Sequence, residues 1–191
     1  KTEKSILDGL ALAAKHHGRT PLHKARPMAE AVLAFVKKAP GIIRAEIGGS
    51  TRRFAETVGD VDVLASVKTQ AEADDVMKHF LTMPGIVKNL GSGHTKTSVL
   101  LDDGLQLDLR VIEDADFGTA IHHFTGSKAH HVALRAYALK HDLTLSEYGA
   151  FKLKPDGTAG QKLAIKDEHE LYAKLGLAYI PPELREGLDE I

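Results

Sequence analysis

The sequence has no cysteine and no tryptophan among its 191 residues. The first absence excludes disulfides, thiolate metal sites and thiol nucleophiles. The second, with aromatics at 5%, leaves Leu, Val, Ile and Ala to do most of the core packing. No apolar run approaches the ~18 residues that a membrane-spanning helix needs. An excess of one charge is missing too: 25 Lys and Arg stand against 26 Asp and Glu, which excludes a polyelectrolyte tail or a disordered chain. The opening Lys1-Thr2-Glu3-Lys4-Ser5 is neither an initiator Met nor a secretory leader. The chain therefore reads as an excerpt of a longer protein, and a cytoplasmic location is expected.

A hydrophobic content of 43% supplies the material for a sizeable core. The balanced total hides an asymmetry: residues 1–60 hold 11 Lys and Arg against 6 Asp and Glu, the remainder 14 against 20. A basic first third suits a polyanionic partner held by part of the surface, and ordinary scatter of surface charge accounts for it equally well.

Three stretches differ in pattern. Ile6, Leu7, Leu10 and Ala14 recur at helical spacing, and a second helix is predicted from Met28 to Lys38, ended by Pro40-Gly41. Residues 42–112 mix strand and helix. A strand over 42–47 runs into Gly48-Gly49-Ser50, a short one covers 61–64, and a helix follows over 71–81. Strands over 98–102 and 105–112 then flank Asp103-Gly104, a dipeptide favouring a type I′ hairpin turn. In the second of these, Leu105, Leu107, Leu109 and Val111 share one face, while Gln106, Asp108 and Arg110 share the other. The last third reads as helix, over 128–141 with Ser127 as its cap and over 168–175. Hinges are expected near 19–21 and 114–116.

Three features carry chemistry. Gly48-Gly49-Ser50-Thr51-Arg52-Arg53 places two glycines directly after a strand, so a ligand can approach the backbone with no Cβ in the way. A helix beginning there would aim free N–H groups at an anion, and the two arginines suit phosphate. Asp60 and Asp62 stand at i and i+2 of a strand and project to one side. Oxygen ligands with no cysteine nearby suit Mg²⁺ or Mn²⁺ rather than Zn²⁺. Asp108 interrupts an apolar, alternating strand. Each has a plainer alternative: a capped turn, a solvated edge strand, and a surface carboxylate paired with Arg110.

Their order narrows the choice. A Gly-Ser turn, then Asp-x-Asp on a strand, then a third Asp on a later strand resembles the nucleotidyltransferase signature. With His123-Phe124-Thr125-Gly126-Ser127-Lys128, Arg135 and Ser146-Glu147-Tyr148-Gly149, nearly the whole chain resembles the bacterial branch of the family X DNA polymerases. The resemblance implies an α+β fold: a nucleotidyltransferase palm with a mixed or antiparallel sheet, a helical N-terminal segment and a helical C-terminal lobe. It divides the chain into 1–19, the end of a helix-hairpin-helix DNA-binding subdomain; 20–114, the catalytic palm; and 115–191, a lobe contacting nucleotide and template.

What else the resemblance implies is specific to residues. Asp60, Asp62 and Asp108 would be catalytic and hold two ions, Mg²⁺ or Mn²⁺. Gly49, Ser50, Arg53 and Gly59 would contact the triphosphate, and His123, Phe124, Gly126 and His131 the rest of the incoming nucleotide. Arg135 would track the template, with Glu147 and Tyr148 as its partners in an open-to-closed switch. The implied activity is template-directed addition of deoxynucleotides to a primer 3′-end, filling short gaps in DNA repair. The partners would be gapped or primed DNA and deoxynucleoside triphosphates, with no membrane, and the chain a monomer. Three positions depart from the family: His131 stands where Asn is usual, Val58 in place of a phosphate-binding Ser, and Gln106 in place of an Arg beside the third acid. A template-independent nucleotidyltransferase shares the Gly-Ser turn and acids, and a DNA-binding module with a decayed site is the other alternative. The adjacent pairs His122-His123 and His130-His131 lack the spacing of a zinc site.

Overall fold

Five strands form the central sheet of the computed structural model, in which residues 18–191 are described. The expected helix around Ile6 to Ala14, and most of the 1–19 subdomain, lie outside the described residues. The sheet comprises β2 (Arg44–Ile47), β4 (Asp60–Val67), β5 (Ile86–Ser92), β6 (Lys96–Leu101) and β7 (Gln106–Glu113), in the order β2-β4-β7-β6-β5. β4 and β7 run parallel and every other neighbouring pair antiparallel, so the sheet is mixed. The parallel pair sits in the middle because its strands are apolar enough to be covered on both faces. In β4 only Asp60 and Asp62 escape full burial.

Helices cover both faces. α1 (Leu22–Val36) buries Ala25, Ala29, Val32 and Val36, and α3 (Gln70–Leu81) buries Ala73, Val76, Met77 and Phe80. These i, i+3 and i+4 stripes pack on Val61, Val63, Leu107, Leu109 and Val111, the odd-numbered face of the central pair. The even-numbered face meets α4 (Phe117–Thr125), whose Phe117, Ala120 and Ile121 surround Leu64. Asp60, Asp62 and Asp108 belong to that second face. A two-stranded ladder of β1 (Thr20–Pro21) and β3 (Thr57–Val58) ties the entry of α1 to the approach to β4.

Beyond α4, the C-terminal lobe holds α5 (Lys128–Leu139), the antiparallel sheet β8 (Leu143–Ser146), β9 (Gly149–Leu153), β10 (Ala159–Leu163), and α6 (Glu168–Lys174). Leu134, Leu145, Leu171 and Tyr172 form its separate core. Ser127 caps α5 as expected, accepting from the His130 N–H at 3.2 Å.

Several local expectations change. α1 begins six residues before Met28 and contains Pro27, whose missing N–H would have paired with the carbonyl of His23, an exposed residue of the first turn. The strand expected at 61–64 runs on through Val67. The Asp103-Gly104 turn is not type I′, because Gly104 alone takes positive φ, at 80°. Gly104 N–H donates to the Leu101 carbonyl and the Leu105 carbonyl accepts from Leu101 N–H, the pattern of a type I turn followed by a left-handed glycine. The last third carries three strands beside its helices. Finally, a 3₁₀ turn occupies Asp114–Asp116, where a hinge is expected, and it leads into α4, a helix that the sequence pattern does not predict. Phe117 through His122 are all buried, so the segment has no amphipathic stripe to read. Gly118 lets it lie against the chain at 165–167, where a Cβ would meet backbone atoms at 2.7 to 2.8 Å.

Candidate active site

Strand register assembles the acids. In the parallel β4–β7 pair, Asp62 lies opposite Asp108 and Asp60 opposite Gln106, and strands in such a ladder are about 4.8 Å apart. Carboxylate oxygens of Asp60, Asp62 and Asp108 all lie within 4.8 Å of one another. Burial, followed by the like charges of Asp60 and Asp108, pushes the Asp62 carboxyl up to about 7. Asp60 is raised by burial and by Asp108. Burial also opposes ionisation of Asp108, yet the Lys96 ammonium and hydrogen bonds from Gln106 and Ser98 hold its carboxyl below the usual range. Arg110 is not its partner. Lys96 on β6 makes the ion pair, while the Arg110 guanidinium lies over the Phe124 ring, 4.2 Å from its centroid.

Three crowded oxygen donors with too few cations fit hard divalent ions, and Gly49 makes room for the cluster. It takes φ 58°, and a Cβ there would collide with the Asp62 carboxylate. The turn is a single helical one, α2 (Gly49–Arg52), entered through Gly48 rather than capped by Ser50. The Gly48 N–H donates to the Asp62 carbonyl at 2.8 Å, pinning turn to acid strand.

The adjacent arginines divide, since neighbours on a helix do not share a face. Arg53 lines the cleft beside Ser50. Arg52 does not: it donates to Thr125 Oγ1 at 2.8 Å and to Glu168 Oε2 at 2.7 Å. Glu168 in turn accepts from the wholly buried Arg185 at 2.5 Å. Arg52 is thus a strut between the Gly-Ser turn and the C-terminal lobe.

An open cleft of about 550 Å³ runs from Asp60 and Asp62 to α5, with the buried Asp108 behind them and not on its lining. Gly49, Ser50, Arg53, Gly59, Asp60 and Asp62 line one side, and His123, Phe124, Gly126 and His131 the other. His123 Nδ1 and His131 Nε2 lie 3.2 Å apart. His131 Nδ1 is buried with no hydrogen-bond partner among the described residues. Burial first, then the like charges of His123 and Arg135, push the His131 imidazole down to about 4. Arg135, Glu147 and Tyr148 stand outside this cleft. Glu147 and Tyr148 border a smaller cavity of about 160 Å³ that shares Arg110 and Phe124 with it, and Arg135 is exposed on α5.

Two cations, Arg19 and Lys96, escaped sequence reasoning, and a third, Arg110, was placed on the right face but with the wrong partner. Arg19 joins the cleft because β1 pairs with β3; it donates to Thr57 Oγ1 at 2.8 Å and to the Thr57 carbonyl at 2.6 Å. Arg110 and Lys96 reach the site through the β4–β7 and β6–β7 registers. Lys96 carried no signal of its own, because its position over the acids depends on the β6–β7 register.

The family model of the DNA polymerase beta palm matches residues 19–135, and that of the DNA polymerase beta thumb matches 120–186. The "DNA polymerase/3'-5' exonuclease PolX" of Bacillus subtilis is 35% identical over the full chain, which spans 33% of that relative's length. The "Repair DNA polymerase X" of African swine fever virus is 32% identical over 72% of this chain and 78% of its own. With its acids, Gly-Ser turn and two lobes all inside the matched regions, the chain belongs to the family X DNA polymerases.

Proposed function

We propose that the chain is the polymerase core of a family X repair enzyme. It would add a deoxynucleotide to a primer 3′-end across a short gap, with release of pyrophosphate. The observation that carries this reading is the convergence of three carboxylates beside a Gly-Ser turn, at one end of a cleft with basic groups along it. Family membership and the relatives' names support the same activity. The proposed division is 1–19, 20–114 and 115–191, acting as a monomer in the cytoplasm. No described helix is long and apolar enough to cross a membrane.

Asp60, Asp62 and Asp108 would hold two divalent ions, Mg²⁺ or Mn²⁺, which when bound neutralise charge on the transferred phosphoryl group and its leaving oxygens. The protein's own groups do the positioning. Gly49, Ser50 and Arg53, with Gly59 and Arg19, cradle the triphosphate. Phe124 and Gly126 pack against the sugar, and His123 and His131 face the base. Asp108 would assist deprotonation of the primer 3′-hydroxyl. Arg135, Glu147 and Tyr148, outside the cleft, take part in closing the C-terminal lobe over a paired nucleotide.

Extension of a primer across a one-nucleotide gap, with Mg²⁺ or Mn²⁺, tests the assignment. Asp60→Asn, Asp62→Asn and Asp108→Asn are each expected to abolish extension, and wild-type extension by any one of them would overturn it. Addition to an acceptor irrespective of template would identify a template-independent transferase instead.

A further inference from the structure

We propose that Lys96 is a resident counter-cation of the acid cluster, which a divalent ion must displace from Asp108, so that this lysine sets the affinity of the site for divalent ions. The inference rests on the metal-ion reading of Asp60, Asp62 and Asp108 above.

The antiparallel β6–β7 register puts Ser98 opposite Asp108 and Lys96 opposite Arg110. Directly opposed residues share a face, so the ammonium of Lys96 projects over the acids. It pairs with Asp108 Oδ2, while Gln106 Nε2 donates to Oδ1 at 2.9 Å. Both oxygens of a carboxylate only 5% exposed are therefore engaged by protein donors. Asp60 and Asp62 have no ion-pair partner among the described residues, and Lys96 is the strongest attractive charge acting on each. Lys96 is thus the cation common to all three acids, with Arg19 acting on Asp60 and Arg110 on Asp62 as well, and a divalent ion at Asp108 competes for the oxygen that Lys96 holds.

The residue type suits a displaceable role. An ammonium is a compact, strongly hydrated charge on a flexible stem. The Lys96 side chain is 36% exposed, so it can move to water without crossing the core. A guanidinium would fork onto the carboxylate and resist displacement.

Binding of Mn²⁺ to the full chain, read from the electron paramagnetic resonance of free Mn²⁺, tests this without reference to activity. Lys96→Met is expected to bind Mn²⁺ roughly tenfold more tightly, the change that follows when one charge-assisted hydrogen bond need not be broken. Lys96→Arg should bind as weakly as wild type or more weakly. In an Asp108→Asn background, Lys96→Met should bring a gain well below tenfold, and a full tenfold gain there would overturn displacement from Asp108 as the cause. Should Lys96→Met melt below the assay temperature, Lys96→Gln carries the same expectation. Affinity unchanged or weakened in the folded, charge-removing variant would overturn the role of Lys96 and leave the metal site standing. Wild-type Mn²⁺ binding by Asp60→Asn, Asp62→Asn and Asp108→Asn would overturn the metal-ion reading itself, and the inference with it.

Discussion

Replacing Glu168 by Gln removes one negative charge from between two arginines and changes little else. The Glu168 carboxylate is 5% exposed; it accepts from Arg52 at 2.7 Å and from Arg185, itself 0% exposed, at 2.5 Å. At an effective dielectric of ~20, each ion pair is worth about 4 kcal/mol of attraction, set against several kcal/mol for desolvating each charge. The substituted amide keeps an acceptor oxygen but leaves both guanidinium groups without this counter-charge, and Arg185 Nη2 already has no partner among the described residues. The expected loss is about 3–5 kcal/mol, the cost of breaking a buried pair by removing one member.

Urea unfolding at pH 7 measures it. The pH dependence has a definite sign. Burial opposes the charge on Glu168, but the two arginines hold its carboxyl below 4.5 in the folded chain. The stability it contributes is therefore fully present above about pH 4.5 and lost as pH falls through the folded value. The gap between wild type and Glu168→Gln should stay constant from pH 8 to 5 and narrow only in more acid solution. A loss below ~1 kcal/mol, or a gap that widens in acid, would refute the reasoning.

Three further outcomes are expected. Asp62→Asn should leave the metal-free chain as stable as wild type or more so, by ~1 kcal/mol for each like-charge contact relieved. Because burial and its neighbours raise Asp62 to about 7, that gain is complete above pH 7 and absent below about 4 in paired thermal melts. Gly49→Ala should cost on the order of 1–2 kcal/mol for its left-handed backbone and weaken Mn²⁺ binding by displacing the Asp62 carboxylate, read by calorimetry. His131, held down to about 4, should show neutral imidazole ¹⁵N shifts throughout pH 8 to 5.5.

The chemistry was legible because it is local. Asp60 and Asp62 lie two residues apart, Gly48-Gly49-Ser50 follows a strand directly, and Leu107, Leu109 and Val111 mark by parity which face of β7 carries Asp108. The cations around the acids were not legible. Arg19 reaches the cleft through a two-residue ladder with β3, and Lys96 reaches Asp108 across the β6–β7 register. Arg52 and Arg53 look equivalent as neighbours, yet one turn of helix sends the first to Glu168, 116 positions away. α4 and the β8–β10 sheet escaped for another reason. α4 is buried nearly all round and β10 buries none of its five residues fully, so neither shows a clean one-sided pattern, while β8 alternates cleanly but over only four residues.

Residue order alone therefore marked which groups make up the candidate site and which flank of each strand they occupy, because alternation along a strand needs no partner. Only the tertiary structure decided which cation answers which carboxylate. That choice depends on strand order and register, and these follow from burying the central strands β4 and β7 between α1, α3 and α4 rather than from any short stretch of sequence.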